Sequence, residues 1–465
     1  MLRGESFERA PAPQSEPLDK EWYDRFEQAG SFQAYEYLDG DSQFRQEERK
    51  KFEAGETQNP SLDYPKLNES VLLRKEDALC RLKEDILNSQ AEGTGDPKKM
   101  EVVKQAYRWR LNEKIAEVRM LKAAAGGDTR RFERYSQFIY GRPSLEVFAY
   151  TVRSLRAANH TYVESDNSNL RQAAQELEAV LPDNLPGPRI HPLPSEEMLD
   201  FAREKTLEEL GHIINVPDTQ GEVDAFVIQQ AFQSALEKLG SNGWIVVTNP
   251  NKADVSVNQE QRQVNVPQER RMDPVALKGL ILHEIGTHVA RRDKGERSCL
   301  RLLGLGLDRY EGGEEGVATV RQQTTEKKFN DFAGLEGHLA ISLAQGLDGV
   351  PRDFHHVYDV MRKYHFVQEL LGGKDVPTAQ QEASKKAWNR CVRTFRGTDC
   401  KTPGIAFTKD IIYREGNMGI WELIRTNPNE MKRFNIGKYD PTNSRHLWVL
   451  TELGIGEDDL EALTK

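Results

Sequence analysis

The chain has 465 residues, 37% of them hydrophobic and 30% charged, and a formal net charge of −10. No stretch approaches the roughly 20 consecutive apolar residues of a spanning helix, and no dominant basic footprint marks a nucleic-acid binder, so neither a membrane nor a nucleic-acid partner is expected. The length exceeds what one core holds, which predicts one large catalytic domain with appendages, or two domains.

Residues 1–66 carry 9 Lys and Arg against 15 Asp and Glu, a net of −6, with Pro and Gly scattered among them. They read as a polar, acidic N-terminal arm, mostly extended or disordered, with room for a short helix near 21–27. The first residues hold no apolar signal core, and the four cysteines (Cys80, Cys299, Cys391 and Cys400) form no C-x-x-C pair. Both features predict a cytoplasmic protein without a cysteine zinc site.

Residues 67–210 read as a helical part. Val71, Leu72, Leu79, Leu82 and Ile86 recur at helical spacing. A second helix covers 102–124 and ends at Gly126-Gly127. A third covers 129–139 and stops at Gly141-Arg142-Pro143, since proline forbids easy continuation. Residues 144–179 look helical again. Pro182, Pro186, Pro188, Pro192 and Pro194 mark a loop, and a further helix spans 196–210.

The period then changes to two. Trp244-Ile245-Val246-Val247-Thr248 is a β-branched run, and 254–257 and 262–266 alternate polar with apolar residues. The short polar link between the last two predicts a hairpin, which Pro267 ends. The fold class read from this order is α+β, mostly helical, with a small antiparallel sheet ahead of the next helix.

Asp273-Pro274 opens that helix with an N-cap oxygen and a proline at its first position. Its apolar residues, Val275, Leu277, Leu280, Ile281, Leu282, Ile285 and Val289, spread nearly all round, so the helix is buried. His283, Glu284 and His288 sit in its middle and are costly there unless something satisfies them; a cation would. The zinc-peptidase signature is H-E-x-x-H. Here it is one residue longer, H-E-x-x-x-H, which sets His283 and His288 about 140° apart on an ideal α-helix. A local π-bulge realigns them, and Gly286 sits where a bulge is tolerated.

Catalytic zinc takes three protein ligands and keeps a fourth position open. Downstream, Gly312-Gly313 precedes a predicted helix with Glu314 and Glu315 in its first turn. Glu315 is the candidate third ligand and Glu314 the second choice. Glu284 is then the general base that takes the proton of a metal-activated water.

HEIGTH, followed by LLGLGLDRY and EEGVA, resembles the family of microtubule-associated tyrosine carboxypeptidases and their bacterial relatives, which are described by a QEGLA motif. Glu314-Glu315-Gly316-Val317-Ala318 stands in that motif's place and keeps its central Glu. Tyr140-Gly141-Arg142-Pro143, Phe395-Arg396-Gly397 and Phe407-Thr408-Lys409-Asp410-Ile411-Ile412-Tyr413 resemble further family segments. The resemblance covers roughly 67–460. It implies a zinc metallopeptidase-like catalytic domain over 67–465, with a sheet and metal-site core at 211–345 and a basic C-terminal part at 346–465. It also implies a zinc carboxypeptidase that releases Tyr or Phe, with ligands His283, His288 and Glu315 and base Glu284.

A carboxypeptidase must recognise a free α-carboxylate, and arginine does so by paired hydrogen bonds. Residues 351–446 hold 17 Lys and Arg against 11 Asp and Glu. Arg393, Arg396 and Lys409 within this basic segment are the candidate carboxylate clamp, and Tyr413 the candidate oxyanion donor. The expected partner is the C-terminus of a peptide or protein, tubulin among them only if the source is eukaryotic. The alternatives are a catalytically silent regulatory or binding relative, or a zinc endo- or aminopeptidase.

Overall fold

The computed structural model describes residues 17–30, 32–89, 96–187, 193–250, 252, 254–326 and 329–456. Its helices start where capping side chains dictate. Asn68 accepts a hydrogen bond from Val71 N to open helix Glu69–Asn88. Asp96 and Asp128 do the same for Pro97–Ala125 and Thr129–Tyr140. Each cap satisfies an amide the first turn leaves orphaned, worth about 1 kcal/mol. Residues 144–179 divide into Leu145–His160 and Ser168–Glu178, because Asn167 accepts from Asn169 N and Leu170 N and restarts the helix. Glu196–Leu210 follows behind its Ser195 cap. Pro188 and Pro192 lie outside the described residues.

The N-terminal segment departs from its expectation as an extended arm. Residues 1–16 lie outside the described residues, but from residue 17 the chain is folded into the core. Helix Lys20–Gly30 buries Trp22, Tyr23 and Phe26, and Trp22 and Phe26 meet Tyr107 edge-on at 5.7 and 5.8 Å. Asp19 is buried and accepts from Leu302 N at 2.9 Å and Tyr107 Oη at 3.0 Å. Helix Ser42–Glu53 inserts Phe52 among Phe354, Tyr358 and Trp388. The composition misleads because it averages over helix faces: most of the charges point outward, Asp19 and Glu48 excepted, and a few aromatic residues at helical spacing supply the buried side.

The sheet also differs. Strands β1 (Ile245–Asn249), β2 (Ser256–Asn258) and β3 (Gln263–Pro267) lie in the order β1-β3-β2. The expected hairpin is present, with Val257 opposite Val264 in an antiparallel pair. However, β1 pairs with β3 in parallel, Val246 beside Val264, so the sheet is mixed rather than antiparallel. Two chain reversals separate β1 from β3 and restore its direction, and β3 offers its second edge.

Behind the sheet, helix Pro274–His283 contributes Leu277, Ile281 and Leu282 to a core with Val264, Val266, Phe232 and Ile213. A second helix, Glu311–Glu326, packs against it and against Ile411–Thr426. Glycines permit that approach. A Cβ on Gly316 would stand 2.5 Å from the Gly416 carbonyl oxygen, and one on Gly416 would stand 2.1 Å from that of Gly312. The helix begins at Glu311, earlier than expected, so Gly312 and Gly313 are helical and Glu314 and Glu315 follow one turn inside.

Candidate metal centre

The longer motif spacing is absorbed by the backbone. Glu284–Val289 form a six-residue π-helical segment, and the chain resumes as α-helix over Ala290–Glu296. A π turn pairs residues five apart, which brings the His283 and His288 ring centroids to 5.2 Å. Its polar groups find partners. Thr287 Oγ1 donates to Leu282 O at 2.9 Å, and buried Arg321 donates to Gly286 O at 2.8 Å and to Thr287 Oγ1 at 3.1 Å. A Cβ on Gly286 would stand 3.1 Å from Leu210 Cδ1, so glycine also lets the helix beneath approach.

Glu315 faces both imidazoles. Its Oε2 lies 3.8 Å from His283 Nε2 and 4.0 Å from His288 Nε2. One ligand atom from each of the three residues lies within 4.8 Å of the others, and among the described residues this is the one such group. These gaps are too long for hydrogen bonds. A tetrahedral ion with ligand bonds near 2.0–2.1 Å separates its ligands by roughly 3.4 Å, so the two gaps from Glu315 Oε2 to the imidazoles would close on zinc after a shift of a few tenths of an ångström. Burial and the nearby His288 push His283 down to about 3, keeping it neutral, the form that ligates metal.

Glu314, the second-choice ligand, turns the other way. Its Oε1 lies 2.7 Å from His288 Nδ1 and accepts from Lys438 Nζ at 2.6 Å, while the Arg291 guanidinium stands 3.7 Å from Oε2. Burial opposes its charge, but Lys438, His288 and Arg291 together hold its carboxyl well below the usual range. An anionic Glu314 fixes the His288 ring by Nδ1 and leaves Nε2 toward Glu315, the usual second partner of a ligating histidine. Glu284, by contrast, is pushed up to about 7: burial raises it, His288 opposes and Glu315 adds.

Residues 376–458 match the family model of the microtubule-associated tyrosine carboxypeptidases. The resemblance read from the sequence therefore holds over that segment, and the family so described is one of tyrosine carboxypeptidases. No curated protein and no solved structure matches the chain. The matched segment excludes H-E-x-x-x-H but contains Arg393, Arg396, Lys409, Tyr413 and Lys438. Among the described residues no helix is long and apolar enough to cross a membrane.

Within this matched segment the expected clamp divides. Arg393 is forked onto Asp410, Nε to Oδ2 at 2.9 Å and Nη2 to Oδ1 at 3.0 Å, with Arg390 joining at 2.8 Å. Arg396 is half-buried, 3.7 Å from Asp39. Lys409 instead reaches the ligand helix. It pairs with Glu311, one turn before Glu315, and its ammonium lies 5.1 Å from the Tyr35 ring centroid and 5.2 Å from that of Tyr140. Tyr413 is half-buried, and its phenol is held well above its usual pKa by loss of solvent and then by the charges of Glu315 and Asp410. Tyr35, Arg321 and Lys438 carry no spacing signal in the sequence. Tyr35 and Lys438 meet the site through contacts more than a hundred residues distant, and Arg321 through contacts 35 and 34 residues away.

Proposed function

We propose that the chain is a zinc-dependent carboxypeptidase that releases a C-terminal Tyr or Phe from a peptide or protein. The observation that carries this reading is the convergence of His283 Nε2, His288 Nε2 and Glu315 Oε2 across the π turn. The family match adds the exopeptidase direction. Zinc held there would supply a Lewis acid and a water acidified to a pKa of about 7.

The chain's own groups fill the remaining roles. Glu284, poised near 7, takes a proton from the attacking water and returns it to the leaving nitrogen. Tyr413, kept protonated by its surroundings, donates to the developing oxyanion. Lys409 receives the substrate α-carboxylate, and the rings of Tyr35 and Tyr140 beside it offer an aromatic wall to the terminal side chain. Glu314 and Lys438 position His288. The substrate is a polypeptide C-terminus in the cytoplasm, tubulin's if the source is eukaryotic.

The test is release of free Tyr or Phe from peptides that end in those residues, beside the same peptides with amidated C-termini. A carboxypeptidase loses the amidated substrate. Equal cleavage of both forms would assign the site to an endo- or aminopeptidase instead.

A further inference from the structure

Three consecutive helices build a trough unrelated to the metal. Helix Glu69–Asn88 lines it with Cys80, Lys83, Glu84 and Leu87. Helix Pro97–Ala125 supplies Asn112, Ile115, Ala116 and Arg119, and helix Thr129–Tyr140 supplies Arg131, Arg134, Tyr135 and Phe138. Each set follows the spacing i, i+3, i+4, i+7, so each helix turns one whole face inward. The outer two helices both pack on the middle one. Ile115 and Ala116 form a buried floor between two rims.

The trough has a volume of about 960 Å³. It lies on the far side of the middle helix from the site. Arg110, Glu113, Lys114 and Glu117 repeat the same spacing two residues out of phase, about 200° around the helix. That face meets Leu305, Arg309 and Phe32.

Two features specify an occupant. Leu87 and Phe138, one on each rim, are 43% and 45% exposed, unusual for large apolar side chains facing a common cleft. The trough is also basic within an acidic chain. Lys83, Arg119, Arg130, Arg131 and Arg134 line it against Glu84 and Asp128, and among the described residues Lys83, Arg130 and Arg134 have no ion-pair partner. Seven residues of helix rise about 10.5 Å, two turns, so the floor accommodates two or three turns of a further helix with an apolar stripe. We propose that this trough docks an acidic amphipathic helix of a partner protein, apolar face on Ile115 and Ala116 and carboxylates toward the arginine rim.

The probe is a fluorescein-labelled 14-residue peptide of Glu and Ala with Leu at i, i+3, i+7 and i+10, amidated at its C-terminus and titrated with the full chain by fluorescence anisotropy. Saturable binding is expected, at least tenfold weaker for a scrambled peptide of the same composition. It should also be at least tenfold weaker in the Arg130→Glu/Arg134→Glu double variant and, from the other rim, in Leu87→Glu. These side chains are exposed, and an unchanged unfolding temperature excludes misfolding as the cause. Absent binding, equal binding of the scrambled peptide, or unchanged affinity in both variants would overturn the proposal. So would at least tenfold tighter binding by a chain ending at Gly456, which would assign the trough to the chain's own tail.

Discussion

Six consecutive residues, Glu284–Val289, bring two imidazoles together by a change of helical pitch. The segment 376–458 reaches the same place differently, delivering Lys409 and Lys438 from separate turns of chain onto partners 98 and 124 residues away. In the first region the chemistry is encoded in local spacing and the backbone adapts to it. In the second it is encoded in tertiary packing: Lys409 and Lys438 reach Glu311 and Glu314 on the ligand helix, while Arg393 pairs with Asp410 inside the segment. In the function we propose, the first region supplies the base and two of the ligands, and the second supplies Lys409 and Tyr413 toward the substrate and Lys438 behind His288.

The largest effect should come from the first region alone. Glu284→Gln removes the base and should lower the rate by about 10²–10⁴-fold while zinc content stays at the wild-type level, measured by turnover and metal analysis on the same sample. The division of labour is probed next by Glu314→Gln, which weakens the hold on His288. Zinc affinity should fall about 10–100-fold, read by competition with a chelating dye. Lys438→Met should act in the same direction, which would tie the two regions together. If neither variant changes zinc affinity, the C-terminal segment does not position the ligand.

Packing comes third. Gly416→Ala places a methyl where Gly312 O stands, and overpacking of this kind costs about 1–3 kcal/mol. A thermal melt should register the loss, together with reduced zinc occupancy as the ligand helix shifts. The smallest effects separate the clamp candidates. Lys409→Met removes a charge-assisted contact and should raise KM about tenfold. Arg393→Gln should change KM less than about twofold, because its half-exposed guanidinium is already taken by Asp410.

The same contrast explains what the sequence made legible. His283, Glu284 and His288 were readable because a buried helix cannot carry three such groups without a reason, and the five-residue interval itself demanded a π turn. Glu315 ranks ahead of Glu314 among the helix-start carboxylates, a choice the motif resemblance supports, and the geometry brings Glu315 to the imidazoles. The helical part was readable from period and caps, with only the break at Asn167 missed. The N-terminal segment was misread because net charge hides a buried aromatic face, and β1 because strand direction is set by topology rather than by composition. Arg393 and Arg396 are read as a clamp from a basic segment that carries family-like motifs; Asp410 and Asp39, the carboxylates beside them, come together with them only in the fold.

Zinc content of the purified wild type beside Glu315→Ala and Glu284→Gln, measured by elemental analysis after reconstitution, tests the central claim most directly. Near one equivalent of zinc in the wild type and in inactive Glu284→Gln, with marked loss in Glu315→Ala, is the predicted result. A wild type that takes up no zinc, or a Glu315→Ala variant that keeps it fully, would contradict the assignment of His283, His288 and Glu315 as the metal centre.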